Sequence, residues 1–309
     1  MRNPRYILNA GSLVEVTTRT LQGRLLLVPG PTLNQAILGV LGRAQRLYPI
    51  QIHGYCFLSS HYHLLVTVDD ALQLSQFVGY LNSNLAREIA HLTGWTDKIW
   101  SRRYEAIQVS DESEAQVDRM KYLLANGTKE GLVEHPQDWP GVHCADLLLQ
   151  GGDKAEGLWY NRTRQYALHR TRKTCTKDDY TNPETVQLTP LPCWKHLSPE
   201  DHRRQIQGLV DLIVTEARAD RLQAGITVLG PNAVRQQKPG TRPEKLQKSP
   251  APDFHAFKKS VHKALYESFS LFVAAYRVAS EKLRAGDRTA SFPMGCFPPG
   301  LPFVGLQTP

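Results

Sequence analysis

Two histidines separated by a single residue, His61 and His63, lie in an apolar stretch of the chain that has the character of a β-strand. Residues two apart in a strand point to the same face, so the imidazoles are predicted to lie side by side, with Tyr62 on the opposite face. Two imidazoles on one face can share a divalent metal ion. Two solvated histidines would give the same pattern, so a metal site needs a third ligand from elsewhere in the chain.

Tyr122 and Asn126 form a second candidate pair, at the end of a helix predicted for residues 111–125. They are four residues apart and therefore share one helix face if the last turn of the helix holds. A phenol can act as a nucleophile, and an asparagine carbonyl can bind a hard cation. The alternative is that Tyr122 is a half-buried packing residue.

Basic and aromatic residues predict nucleic-acid contacts in two segments. Residues 100–104 combine aromatic rings with arginines, a mixture that suits base stacking and phosphate contact. Residues 230–252 are rich in proline, lysine and arginine, which predicts an extended basic arm along a phosphate backbone. An ordinary solvated face and a solvated linker are the respective alternatives. The predicted DNA-binding residues are Arg19, Trp100, Arg102, Arg103, Tyr104, Arg235, Lys238, Arg242, Lys245 and Lys248.

The composition narrows the classes of protein to consider. The chain has 309 residues, a net charge of +8 and five cysteines that form no CxxC pair. The charge favours a polyanionic partner. The cysteine pattern argues against a cysteine zinc site and a disulfide framework, so we expect a cytoplasmic location. No segment approaches the roughly 20 apolar residues of a membrane-spanning helix, so no membrane partner is expected.

The hydrophobic pattern predicts two domains. Residues 1–150 alternate strands and helices, whereas residues 151–309 form a basic, mainly helical extension. Ser198 and Pro199 are a strong helix start, and a last long helix is predicted from Asp253 to Gly286.

Three ordered motifs resemble those of a known family. His61-Tyr62-His63-Leu64-Leu65-Val66 resembles the HUH motif, in which U is a bulky apolar residue. Trp100-Ser101-Arg102-Arg103-Tyr104 is similar to the W-x-R-x-Y/F segment, and Tyr122-Leu123-Leu124-Ala125-Asn126 opens a stretch similar to Y-I-x-x-N-P-x-x-A-G-L-V. Over roughly residues 1–150 the chain resembles the single-tyrosine HUH transposases of insertion sequences, particularly the REP-associated tyrosine transposases. Two positions depart from the pattern: Leu58-Ser59-Ser60 precedes the histidines, and Gly127 replaces the usual proline, which is expected to loosen the helix end.

The resemblance implies an α+β fold, a ferredoxin-like or RRM-like antiparallel sheet flanked by helices. It implies cleavage and joining of single-stranded DNA through a 5′-phosphotyrosine link. Tyr122 would be the nucleophile, and His61, His63 and Asn126 would hold Mg²⁺ or Mn²⁺. The expected partner is single-stranded DNA or a DNA hairpin, bound by a monomer or a homodimer.

Two other functions remain open at this point. The first is a catalytically silent DNA- or RNA-binding protein on the same fold. The second is a different metal hydrolase that uses His61 and His63.

Overall fold

The computed structural model describes residues 6–7, 9–171, 174–243 and 252–296. Lys245 and Lys248, two of the predicted DNA-binding residues, lie outside this described part of the chain.

The first half of the chain forms a four-stranded antiparallel sheet with its helices. Its elements are β1 (Ser12–Arg19), α1 (Pro31–Leu47), β2 (Gln51–Leu58), β3 (His61–Val68), α2 (Ala71–Thr93), β4 (Glu105–Val109) and α3 (Ser113–Ala125). Strand β1 pairs with both β3 and β4, and β2 pairs with β3, so the order is β2-β3-β1-β4. This order with the connection β-α-β-β-α-β is the ferredoxin-like arrangement. The predicted fold class is therefore confirmed.

The second half contributes helices and three further strands. These are α4 (Ala145–Leu149), β5 (Lys154–Tyr160), α5 (Arg162–Thr171), β6 (Thr181–Gln187), α6 (Pro199–Ala224), α7 (Pro231–Arg235), β7 (Phe254–His255) and α8 (Lys259–Arg284). The last helix begins at Lys259 and not at Asp253, because residues 254–255 pair in parallel with β4 and extend the sheet. The β5–β6 hairpin was not predicted, because β6 is mostly polar and contains Pro183, and β5 lacks a regular apolar alternation.

Local sequence signals account for several helix ends. Asp70 caps α2 by accepting a hydrogen bond from the backbone N–H of Gln73, and Gly94 ends that helix with a left-handed φ of 70°. Ser198 caps α6 in the same way, with Pro199 at the first helical position, as predicted. None of the described helices combines the length and apolar character needed to cross a membrane.

The two faces of the sheet are covered by different helices. Tyr62 is fully buried on the face that carries α2, where its ring stacks on Phe57 and its hydroxyl donates a 2.7 Å hydrogen bond to Asn82. The opposite face carries α3, and the side chains of His61 and His63 point to it. The alternation of the strand thus separates a packing tyrosine from two polar imidazoles.

The β5–β6 hairpin docks on α1 through an unusually close backbone contact. A Cβ atom added at Gly39 would lie 2.1 Å from the backbone carbon of Leu158, and one added at Gly157 would lie 2.3 Å from the backbone nitrogen of Gly39. Glu184 on β6 then pairs with Arg43 and Arg46 of α1, at 2.9 and 2.8 Å. Glycine on both sides of this contact allows the hairpin and the helix to approach so closely.

We expect Gly39→Ala to destabilise the protein by at least about 2 kcal/mol, because the added methyl group meets backbone atoms that cannot move aside. Gly79→Ala in α2 is the matched control: nothing lies within 4 Å of its added Cβ, so it should raise stability by up to about 1 kcal/mol. Urea unfolding measures both free energies. Equal stability of the two variants would show that the hairpin does not dock as described.

The segment that was predicted to be an extended basic arm is docked over its described part. Val234 in α7 is fully buried, and the backbone of Gly240 and Thr241 exchanges hydrogen bonds with that of Leu25. The interpretation of this part as a free arm or linker was therefore wrong, because a buried apolar side chain and paired backbone groups hold it on the body of the protein.

Candidate active site

The two histidines occupy the start of β3. His61 is paired across the sheet with Arg19 and His63 with Thr17, and their ring centroids are 5.2 Å apart. Two imidazoles therefore share one face at one end of the sheet.

Hydrogen bonds involve Nδ1 of both histidines. Nδ1 of His63 lies 3.0 Å from Oε1 of Glu15 and 3.0 Å from the hydroxyl of Thr17. A carboxylate only accepts hydrogen bonds, so Nδ1 carries the proton and Nε2 keeps its lone pair. Nδ1 of His61 lies 3.0 Å from the Ser60 hydroxyl, which can donate or accept, so Nε2 of His61 makes no hydrogen bond within the described residues but its protonation depends on the tautomer. An oriented imidazole with a free Nε2 is the form that binds metal ions.

His61 is also held in the neutral form that a metal ligand requires. Burial, followed by the neighbouring His63 and then the positive charges of Arg19 and Lys129, lowers the pKa of His61 well below the usual value. At neutral pH the ring is therefore uncharged and has one nitrogen lone pair to offer.

Helix α3 places the phenol of Tyr122 against this pair. The rings of His63 and Tyr122 meet edge to face with their centroids 5.6 Å apart, and Tyr122 remains 37% exposed. The nucleophile candidate therefore contacts a histidine of the same chain and is still open to solvent.

Asn126 ends α3 and lies almost fully buried. Its amide nitrogen donates to the carbonyls of Tyr122 and Leu123, at 2.8 and 3.1 Å. Both bonds use the nitrogen, so the amide oxygen is the atom that Asn126 can offer to a cation.

Gly127, the departure from the family pattern, does not leave the helix end loose. Its φ is +92°, a conformation closed to proline, whose ring fixes φ near −65°. The carboxylate of Glu130 accepts the backbone N–H of Gly127 at 2.6 Å and secures the turn. The expectation that Gly127 weakens the position of Asn126 was therefore wrong.

Two cations surround the phenol ring. Nζ of Lys129 lies 3.5 Å from the centroid of the Tyr122 ring, and the guanidinium carbon of Arg119 lies 4.8 Å from it. These contacts place positive charge beside the group that would attack a phosphate.

Glu15 lies behind the histidines as a buried carboxylate that contacts two imidazoles and one guanidinium. Besides His63, Nε2 of His255 lies 2.9 Å from Oε2 of Glu15, and Nη1 of Arg119 lies 3.6 Å from the same oxygen. Burial by itself would raise the pKa of Glu15, but the contacts with His255 and His63 outweigh it and hold that pKa far below the usual range. Glu15 is thus a fixed negative charge that receives Nδ1–H of His63.

The side chains at this place fit a divalent cation. Two imidazole nitrogens and one amide oxygen form a mixed donor set, of the kind that accepts first-row divalent ions. Within the described residues no group of three or more His, Cys, Asp or Glu side chains could hold a metal ion, so these residue types alone do not form a metal site. Asn126 is the candidate for a further ligand, through its amide oxygen.

The residues predicted to contact DNA fall into two groups. Arg19 is exposed beside His61, and Arg102 and Arg103 are exposed at the start of β4. In contrast, Trp100 packs edge to face on Tyr62 and donates to the carbonyl of Asn82, and Tyr104 is only 8% exposed. The prediction that Tyr104 stacks on bases is wrong, because its ring is buried in the core. Trp100 is only partly buried, so its stacking on a base stays a prediction.

The described part of the basic segment lies close to the histidine turn. The side chains of Arg235, Lys238 and Arg242 are exposed. Ser59, two residues before His61, donates a 3.1 Å hydrogen bond to the side-chain oxygen of Gln237. The segment 235–242 therefore passes the end of the sheet that carries His61.

The sequence-based prediction missed four residues around the site: Glu15, Arg119, Lys129 and His255. A charged residue inside the apolar alternation of β1 was a usable signal for Glu15. Lys129 lies inside the stretch that resembles the family motif. No local pattern marks Arg119 or His255 as site residues, because both contact Glu15, which is 104 and 240 positions away from them in sequence.

The chain is similar in sequence to one known family and to two solved structures. Residues 28–123 match the family model described as "Transposase IS200 like". No curated protein matches the chain. Among solved structures, a REP-associated tyrosine transposase bound to a REP hairpin shares 20% identity at a TM-score of 0.36, covering 46% of this chain and 81% of that one. A candidate transposase from Deinococcus radiodurans R1 shares 18% identity at a TM-score of 0.28, covering 40% and 98%.

The similarity to this family rests on the sequence match, which spans about a third of the chain, since both structural similarities are too low to support an argument. The matched segment contains His61, His63 and Tyr122, the three side chains that meet at the end of the sheet. Residues 28–123 are therefore similar to the IS200-like transposase family.

Proposed function

We propose that the protein cleaves and rejoins single-stranded DNA through a covalent link to Tyr122. The observation that supports this most directly is the edge-to-face contact of Tyr122 with His63, whose Nδ1 is fixed by Glu15. A nucleophile candidate and a metal-ligand candidate lie side by side on two elements that the fold brings together.

The proposed reaction is a transesterification. The phenol oxygen of Tyr122 forms a bond to the scissile phosphorus, and the bond from phosphorus to the 3′ oxygen breaks. The proton lost by the phenol is balanced by the proton gained at the released 3′-hydroxyl. The phosphotyrosine link conserves the energy of the phosphodiester, so the 3′-hydroxyl of a DNA strand can later reverse the step without ATP.

The side chains around Tyr122 each have a task in this scheme. His61, His63 and the amide oxygen of Asn126 would hold Mg²⁺ or Mn²⁺, and a bound divalent ion would polarise the phosphate as a Lewis acid. Lys129 and Arg119 provide fixed positive charge that favours the approach of the phosphate and offsets the negative charge that develops on it.

We propose that the site is complete within one chain, because Tyr122 contacts His63 of its own sheet. A monomer would then suffice for cleavage. The proposed partner is single-stranded DNA or a DNA hairpin. The net charge of +8 supports this, as do five exposed basic side chains around this end of the protein: Arg19, Arg102, Arg103, Lys238 and Arg242.

Covalent capture tests the proposal. A pool of hairpin oligonucleotides with randomised single-stranded flanks and a label at the 3′ end is incubated with the protein and Mn²⁺, and adducts are separated under denaturing conditions. We expect an adduct that forms with Mn²⁺ and not with EDTA. Binding without an adduct would favour the catalytically silent binding protein, and a free 5′-phosphate product without an adduct would favour a metal hydrolase.

Lys129 gives a more specific prediction. We expect Lys129→Met to slow adduct formation about 10- to 100-fold, because the ammonium next to the phenol no longer offsets negative charge in the transition state. Lys129→Arg should retain most of the rate. Lys154→Met, on the exposed part of β5, is the matched control and should react like the wild type. Single-turnover rates at saturating DNA measure the effect, and equal rates for Lys129→Met and wild type would exclude this role.

A further inference from the structure

His255 lies in the second half of the chain and yet reaches the histidine site. Strand β7 pairs in parallel with β4, with His255 opposite Val109. Glu15 is opposite Ile107 on the same β4 strand. Ile107 and Val109 share a face, so the register places the side chains of Glu15 and His255 on the face of the sheet that α3 covers.

The contacts form a continuous connection from β7 to the histidine pair. Nε2 of His255 contacts Oε2 of Glu15 at 2.9 Å, and Oε1 of Glu15 contacts Nδ1 of His63 at 3.0 Å. Each oxygen of the carboxylate thus has its own imidazole partner. The contact at Oε2 is at ion-pair distance without hydrogen-bond geometry, and together with the bond at Oε1 it restricts rotation of the carboxylate that receives Nδ1–H of His63.

The position of His255 is itself well defined. Its carbonyl accepts a 2.8 Å hydrogen bond from the backbone of Ser110, and the carboxylate of Glu112 accepts the backbone N–H groups of Phe257 and Lys258, at 2.9 and 3.2 Å. The neighbouring Phe254 is buried with its ring 5.8 Å from that of Phe269 on α8. Backbone pairing and apolar packing on both sides of His255 hold it against Glu15.

We infer that His255 is a positioning residue of the metal site: it fixes the carboxylate of Glu15, which holds His63 in the Nδ1–H tautomer with Nε2 directed to the metal. The inference rests on the proposed function, because it assigns His63 as a ligand. Partners behind a metal ligand commonly change metal affinity 10- to 100-fold when they are removed. His255 acts one step further back, and its removal lowers affinity about tenfold. The functional unit therefore extends from the first 150 residues to the strand at 254–255.

A matched pair of variants separates positioning from packing. His255→Met and His255→Gln have similar shapes, but only the glutamine has an N–H group to donate to Glu15. Titration calorimetry with Mn²⁺ on the full chain gives the affinity. Histidine ¹⁵N chemical shifts, recorded without metal, report the tautomer of His63. His63→Ala identifies the binding that depends on this site, and His262→Ala, which contacts Phe254, controls for changes in β7 packing.

We expect His255→Met to bind Mn²⁺ about tenfold more weakly and to show a mixture of His63 tautomers, with His255→Gln within about threefold of wild type. Equal weakening by both variants, or no weakening by either, would overturn the inference. If the methionine variant does not fold, His255→Asn, whose amide is one methylene shorter, takes its place against His255→Gln. If wild type shows no Mn²⁺ binding that His63→Ala removes, the proposed function itself fails, which is a separate outcome.

Discussion

Replacing Tyr122 by phenylalanine is expected to abolish covalent capture of DNA completely while leaving DNA affinity within about twofold of wild type. The variant loses a single oxygen atom, which in the proposed reaction is the atom that bonds to phosphorus. The ring keeps its contact with His63 and its position between Lys129 and Arg119, because those contacts involve the ring and not the hydroxyl. Denaturing gels with 3′-labelled DNA measure capture, and fluorescence anisotropy measures binding.

Tyr166→Phe is the control for this experiment. Tyr166 on α5 is 68% exposed, so the loss of its hydroxyl should leave both capture and binding unchanged. Mass spectrometry of the adduct formed by the wild type should place the nucleotide on the peptide that contains Tyr122. An adduct that persists in Tyr122→Phe, or maps to another tyrosine, would refute the assignment of the nucleophile.

Replacing His63 by alanine is expected to produce the second-largest effect, a loss of at least about a thousandfold in the rate of adduct formation. A divalent ion provides several kcal/mol of transition-state charge stabilisation, and each 1.4 kcal/mol corresponds to a factor of ten. The variant should also lose measurable Mn²⁺ affinity. Titration calorimetry and single-turnover capture report the two effects independently.

The interpretation of His63→Ala needs a stability control, because the variant leaves Oε1 of the buried Glu15 without its imidazole partner. An unsatisfied buried group costs about 1–3 kcal/mol, so the melting temperature should fall and the assays should be run well below it. His169→Ala, on the exposed side of α5, should alter neither Mn²⁺ affinity nor capture. A folded His63→Ala variant that captures DNA at the wild-type rate would rule out His63 as a ligand.

The arrangement shows how a ferredoxin-like sheet would support the proposed chemistry. The strand pair β1–β3 fixes the two histidines and Glu15 by backbone register, which tolerates little movement. The phenol lies near a helix end, next to Asn126 and the turn at Gly127. In the proposed reaction the sheet would provide the rigid metal ligands, and the covering helix the exposed nucleophile.

The sequence by itself determined the parts of the protein that depend on neighbours in the chain. The alternation around Tyr62 placed the two histidines on one face, and capping residues such as Ser198 and Gly94 marked helix ends. The motif spacing pointed to the family whose model matches residues 28–123, and to the fold class. These features are set by backbone periodicity and local hydrogen bonds. Both act within a few residues, so they can be predicted from the order of residues in the sequence.

Only the tertiary structure decided the contacts between distant segments. It buried Tyr104, docked Val234 and the basic segment, and brought His255 to Glu15 across 240 positions of sequence. It also showed why Gly39 and Gly157 are glycines. The physical reason is that register, close approach and the pairing of a buried charge depend on which surfaces meet after folding, and no local pattern encodes that choice.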